Sequence, residues 1–216
     1  NLDISEKGLI GIIVISFLGL LINFVLPLNE ILSSTLFIIG IILGIKYRIY
    51  LNKEYLIITS LISFVLIIYS NVNRPDAGLY HLPITSILNE SKIIIGLTNI
   101  HFRFGHGSLI QYLSALHNTF LFNISFLTIP LATIFSIYIF FLYKKIVFFF
   151  KDKNTTLSLL YLIFFVISIY AFNRYSAYGN DASAHIFYFY FYLKLLEIFL
   201  KQNLTTDKFF FLFFIA

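Results

Sequence analysis

The chain has 216 residues, of which 59% are hydrophobic and 12% charged, with a mean hydropathy of +0.91 and a formal charge of +5. A soluble domain is roughly 45–50% apolar and about 25% charged, so too few polar side chains are present to cover a water-soluble surface. Disorder and nucleic-acid binding are excluded on the same ground, and the chain reads as an integral membrane protein.

A spanning helix needs about 20 mostly apolar residues, and six stretches approach that length. In chain order they are Gly8–Leu28, Ile31–Ile45, Tyr55–Val72, Ile124–Tyr143, Thr155–Phe172 and Ala184–Leu200, with the start of a seventh at Phe209. The second is short unless Tyr47–Leu51 extend it. Within the sixth, Ile186–Tyr192 alternates Phe and Tyr with the period of a strand. A lone strand in lipid leaves its backbone groups unsatisfied, so the run is assigned to a helix. The expected fold is therefore an all-α polytopic helical bundle, a single transmembrane domain over residues 1–216. Gly40 and Gly44 form a GxxxG pattern suited to helix packing. The sequence contains neither cysteine nor methionine. The first absence removes disulfides and thiolate metal sites; the second, with the stop inside the apolar run Phe209–Ala216, marks an internal fragment of a longer protein.

Lys and Arg concentrate in cytoplasmic loops. With the N-terminus inside, 11 of the 15 basic residues lie on the cytoplasmic side, leaving Arg74, Lys92, Arg103 and Arg174 outside. The segments Asn73–Asn123 and Asn173–Ser183 then share the outer face, and all five histidines fall in or beside them. That polar residues avoid lipid explains this clustering equally well.

The longer segment far exceeds an ordinary connection and is expected to carry short helices. One covers Ile84–Asn89 after Pro83, the other Leu109–Asn118 after a Ser108 cap. In the second, Leu109, Leu113, Leu116 and Phe120 form an apolar face expected to lie on the membrane interface, with Gln111, Ser114 and His117 opposite. Asp76 stands in Arg74-Pro75-Asp76-Ala77-Gly78, either a plain turn or a carboxylate placed where a lipid-linked substrate can reach it. The stretch Asn99–His106 holds His101, Arg103 and His106. Its guanidinium and imidazoles suit a phosphate, and simple headgroup contact is the alternative. Asp76, His101 and His106 could ligate a divalent metal, but no recognised metal spacing is present. Asp181 either caps the sixth helix or shares a helix face with His185.

The run Asp76-Ala77-Gly78-Leu79-Tyr80-His81-Leu82-Pro83, followed by Gly96-Leu97-Thr98-Asn99-Ile100-His101-Phe102-Arg103-Phe104-Gly105, resembles a group of largely uncharacterised bacterial multi-pass proteins. Those proteins look related to the GT-C superfamily of membrane glycosyltransferases. Tyr178-Gly179-Asn180-Asp181 resembles their second signature. The resemblance implies transfer of a sugar from a polyprenyl-phosphate carrier to a glycan, lipid or protein acceptor outside the bacterial inner (cytoplasmic) membrane. Asp76 matches the superfamily's acidic position and is the expected general base, with Asp181 orienting the acceptor or helping to hold a metal. Arg103, His101 and His106 are expected on the donor phosphate, and Tyr80, His81, Asn99 and Asn180 at other substrate contacts. No cofactor is required by this chemistry. The chain departs from the superfamily in two ways: Ala77 follows Asp76 where a second acid is common, and three expected helices precede the loop rather than one. The rival readings are a glycan polymerase, a flippase or transporter, and a non-catalytic membrane subunit. Transport needs ionisable residues near the midplane; on the expected spans, Asn23 is the main polar residue there.

Overall fold

The structure, a computed structural model, describes residues 2–47, 52–69, 77–105, 107–176 and 178–201. Their regular structure is helical throughout, with no strand among the described residues. Six helices run lengthwise: α1 (Ile4–Asn23), α2 (Glu30–Lys46), α3 (Lys53–Ile68), α6 (Thr128–Lys151), α7 (Thr155–Tyr170) and α9 (Asn180–Leu200). The short α4 (Leu82–Glu90), α5 (Leu109–His117) and α8 (Phe172–Tyr175) gather at one end. The alternating Phe–Tyr run lies inside α9, while Phe209 lies outside the described residues.

Three helices, Ile4–Asn23, Thr128–Lys151 and Asp181–Leu200, are long and apolar enough to cross a membrane. The helices at the other three stretches stay short of that length: α3 and α7 are shorter than their apolar runs, and α2 exceeds its own run by one residue at each end. At 1.5 Å per residue, the 16 or 17 residues of α2, α3 and α7 rise about 24–26 Å. Caps set their starts: the side chains of Asn29, Asn52 and Asn154 accept from Leu32, Glu54 and Leu157 N–H. The same physics moves α1 four residues upstream of its expected start. Glu6 N–H donates to Asp3 and Asp3 N–H donates to Glu6, a reciprocal box. Asn23 is consequently the last residue of α1 rather than a mid-helix polar group.

Helix α6 is the hub, contacted by α1, α3, α7 and α9. Its Tyr138, Phe141 and Leu142 are fully buried. Phe140 takes the ring of Tyr55 edge-on at 5.1 Å, and Phe141 takes those of Tyr161 and Tyr190 at 5.8 and 5.0 Å. Ser63 donates to Ser136 at 2.9 Å, joining α3 to α6 by a polar contact of the kind that holds helices together in an apolar solvent. Outward faces are the reverse of a soluble protein's. Val14, Phe17, Leu61, Phe64, Leu159 and Val166 are each at least 50% exposed, a belt that hydrocarbon solvates and water does not.

The bundle has two unlike ends. At the ionic end, Lys194 donates to Glu6 at 2.7 Å, and Lys145 and Tyr161 reach Glu197 at 3.3 and 2.8 Å. Lys201 joins Glu197 at 3.3 Å, and Lys144 pairs with Glu54 at 3.5 Å. Lys145 and Lys194 belong to the basic set expected to face cytoplasm, yet their side chains are 14% and 13% exposed and turn inward onto carboxylates. Removing one partner of such a group strands charge in a dry setting. Glu197→Ala is expected to cost about 3–5 kcal/mol, read as a fall in the detergent-solubilised protein's melting temperature. In a double-mutant cycle, Glu6→Gln with Lys194→Met should lose less than the sum of the single changes.

Candidate functional site at the loop end

At the opposite end the turn between α1 and α2 is sewn to the long loop. Leu28 N–H donates to the Leu88 carbonyl and Ile93 N–H to the Asn23 carbonyl, both at 2.9 Å. The Asn23 amide donates to the carbonyls of Leu26, Leu88 and Ser91. Asn89, 8% exposed, donates to the carbonyls of Leu28 and Ala115 and accepts from Asn118 at 3.4 Å. These bonds anchor α4 and α5 on the bundle.

Helix α4 starts with Pro83 in its first turn, where the missing N–H costs nothing, and is entered through a π-turn at Ala77–His81. Helix α5 is fixed by Gln111, whose side chain accepts from Ser108 N–H at 3.2 Å. Its packing differs in part from the expected amphipathic reading: Leu113 and Leu116 pack on the buried clusters as an apolar face should, but the opposite side is buried as well. Ile110, Gln111, Ser114 and Ala115 are buried, while Leu109 and Phe120 are 37% and 57% exposed. The cause is local: Ala115 is small enough to nest against Leu28 and Leu88, with Tyr112 and Leu116 beside it. Between the helices Gly96 adopts φ +89°, a left-handed conformation that favours glycine. From there two 3-10 turns, Leu97–Asn99 and Phe102–Gly105, carry the Asn99–Gly105 residues.

The three segments behind the resemblance meet through a chain of rings. The Arg103 guanidinium lies 4.8 Å from the Tyr80 ring centroid and 5.7 Å from that of Phe102, within cation–π range. Tyr80 packs on His81 at 4.1 Å, and His81, 4% exposed, meets Tyr178 edge-on at 5.4 Å. Thr85 donates to the His81 carbonyl at 2.9 Å and lies 3.2 Å from the Tyr178 hydroxyl. A side chain at Gly179 would begin 3.8 Å from His81 Nε2. Ala77, next after Asp76 in sequence, packs with Tyr178 and Leu127. Burial pushes the Tyr178 hydroxyl above its ordinary range, so it acts as a neutral hydrogen-bonding group.

The remaining expected site residues are distributed differently. His101 Nδ1 accepts from Arg103 N–H at 3.3 Å, and the ring stacks on Phe102. Asn99 is exposed. Asn180 opens α9, and Asp181 stands 82% exposed, 3.9 Å from Arg174. Asp76 and His106 lie outside the described residues. Among the described residues no group of three His, Asp or Glu side chains converges for a metal.

Two cavities open at this end. One, of about 210 Å³, is lined by Ile84, Leu88, Leu97, Phe104 and Tyr112, with Lys92 on its wall. The other, of about 290 Å³, is lined by Asn29, Glu30, Ser86, Asn89, Glu90 and Asn118, with Ile124 at one side. Lys92 is absent from the site expected from sequence, since it lies between the two resembling runs and carries no motif of its own.

His117 was expected on a polar face, and it is held instead against Phe122 at 5.2 Å. Burial drives its pKa from 6.5 down to about 4, against a hydrogen bond to the Phe126 backbone that works the other way. With a lowered folded pKa, the unfolded chain takes up the proton first. Stability from this residue is then complete above about pH 6.5 and declines as pH falls towards 4. Melting temperatures of the wild type should therefore drop between pH 6.5 and 5, and His117→Gln should flatten that slope.

Comparison with the curated proteins and with the solved structures gives no match. Across residues 1–216 the chain matches one family, and it belongs to that family, described as Domain of unknown function (DUF8201).

Proposed function

We propose that this chain is the membrane part of a glycosyltransferase that moves a sugar from a polyprenyl-phosphate carrier to an envelope acceptor. The reading places it in the bacterial inner membrane with six spans, the N-terminal end cytoplasmic and the loop end outside. Alternation supports the span count. The helices α2, α3 and α7 run between the same two ends as the three longer ones: α2 starts beside α4, Glu54 at the start of α3 pairs with Lys144, and Ser158 early in α7 reaches the Ile146 carbonyl. Their shorter rise is absorbed by local thinning of the bilayer or by snorkelling flanks.

The observation that carries the reading is the Arg103–Tyr80–His81–Tyr178 chain, which gathers all three resembling segments at one end of the bundle. In the proposed reaction Asp76 removes the proton of the acceptor hydroxyl, and that oxygen attacks the anomeric carbon. The bond from that carbon to the phosphate oxygen breaks, and the phosphate leaves with the electron pair. Arg103 and His101, with His106, stabilise the charge growing on it. The cavity bearing Lys92 suits the first isoprene unit behind that phosphate, with Ile84, Ile87, Leu88, Leu97 and Phe104 on its wall and Lys92, Thr98 and Gln111 as polar neighbours for the phosphate. Asp181 and Asn180, at the start of α9, would contact the acceptor side. No metal is needed for this displacement. A transporter asks for ionisable groups along a path through the bundle, whereas Glu6, Lys145, Lys194 and Glu197 pair with one another at one end.

These 216 residues are cysteine-free, so with any cysteine outside them replaced the protein gives a clean background for topology. Single cysteines replacing Lys92 or Asp181 should react with a membrane-impermeant maleimide in intact cells, and one replacing Lys151 should react after permeabilisation alone. In a polyprenyl-phosphate-sugar transfer assay, Asp76→Asn should lower the rate by about 10²–10⁴-fold. Lys92 and Asp181 labelling from opposite sides would remove the shared outer site, and an unchanged rate in Asp76→Asn would remove the base.

A further inference from the structure

Helix α4 separates the two cavities. Ile84, Ile87 and Leu88 line the one that carries Lys92, and Ser86, Asn89 and Glu90 line the other. At 100° per residue these two sets occupy opposite sides of the helix. The two sides also differ in charge. Glu30 and Glu90 stand exposed around the second cavity, and among the described residues its lining carries no cation.

We infer that the second cavity, of about 290 Å³, is a saccharide site that accepts neutral or amine-bearing sugar rings and rejects anionic ones. Its lining is three side-chain amides, one hydroxyl and two carboxylates, which together donate to and accept from ring hydroxyls. A phosphate or uronate entering it meets two carboxylates and no counter-charge. The floor is built in advance. Both protons of the Asn89 amide are committed to the Leu28 and Ala115 carbonyls, and its oxygen takes one bond from Asn118 at 3.4 Å, so it holds a fixed direction with one lone pair left for a ligand. The Asn29 oxygen is likewise committed to Leu32 N–H, which leaves its NH₂ as the group available to a ligand. Ile124 adds the apolar surface that a ring's C–H face needs. The volume is at the small end of ligand sites, which run from about 300 Å³ upward, and suits one or two rings.

This inference rests on the transferase reading for its role, since it names the acceptor: a hydroxyl-bearing glycan without acidic groups at the bound ring. On that reading the lipid phosphate sits on the Lys92 side of α4 and the acceptor on the Glu90 side. Electrostatics then sorts the two substrates before any chemistry takes place.

The test is ligand-observed saturation-transfer NMR on the full protein in nanodiscs, with a chelator present so that a calcium site gives no signal. One arm uses soluble glucose, glucosamine, N-acetylglucosamine, galactose, mannose and rhamnose, with glucuronate as the anionic probe. The other uses nanodiscs doped with glucosyl diacylglycerol, which separates a free glycan from a glycolipid headgroup. The expected result is a signal from at least one neutral or amino sugar in one of the arms, with glucuronate about tenfold weaker or silent. Ser86→Trp, which fills the cavity, should abolish the signal. Glu90→Lys should reverse the preference in favour of glucuronate, a gain that misfolding does not produce. Silence from every sugar in both arms, equal binding of glucuronate to the wild type, or a signal that survives Ser86→Trp would each overturn the inference. A positive binding result beside a failed transfer assay would sink the transferase and leave the saccharide site standing.

Discussion

The carbonyls of Leu28 and Ala115 lie buried, and each has a local donor, Ser33 Oγ at 3.5 Å and Asn118 N–H at 3.2 Å. Asn89 adds a second donor to both from a single side chain, and each such bond is worth about 0.5–1.5 kcal/mol. Because its two acceptors belong to the α1–α2 turn and to α5, satisfying them fixes α4 relative to both. Everything at that end inherits the placement. The turn after α4 begins where the Asn23 carbonyl receives Ile93 N–H, and the Gly96–Gly105 segment follows from there to Tyr80. Asn89 therefore has a bridging role that a hydrophobic residue of similar size could not fill.

The two ends of the bundle solve different problems with the same inventory of polar atoms. At the ionic end, long flexible side chains converge from α1, α6, α7 and α9, and Coulombic pairing in a poorly solvated setting holds four helices at once. At the loop end, short amides and hydroxyls act at fixed range on backbone groups, which gives geometry rather than strength. On the proposed transferase reading, a site holding two substrates in register would benefit from the second arrangement. The first suits an anchor, where the requirement is that the helices stay together.

Much of the fold is legible in the sequence because apolar runs of spanning length have few alternatives in hydrocarbon. The helices at the six apolar runs, the helical nature of the Ile186–Tyr192 run and the helices after Pro83 and Ser108 follow from composition, period and caps, although α6 starts four residues after its expected run and continues eight past Tyr143. What escapes is whatever depends on a partner distant in sequence. Lys145 and Lys194 read as loop cations facing cytoplasm until Glu6 and Glu197 are seen beside them. That α5 buries Gln111 and Ser114 beside Leu113 and Leu116 depends on the small volume of Ala115 against Leu28 and Leu88, which its own periodicity does not reveal. For the candidate site, the sequence offers three separated signatures, and their meeting through His81 and Tyr178 is a property of the packing alone. The second cavity has no sequence signal at all, since its lining comes from α2, α4 and the end of α5.

The bond between Lys194 and Glu6 joins residues 188 positions apart. During synthesis Glu6 emerges early, and at about 5–20 residues per second the ribosome delivers Lys194 roughly 10–40 s later. In that interval the Glu6 carboxylate of α1 lacks the lysine that the finished bundle supplies at 2.7 Å. Its N-terminal turn is held meanwhile by the local box of Asp3 and Glu6, which needs no distant partner. The ionic end therefore stays open until α9 is present, because Lys194 and Glu197 both lie on that helix.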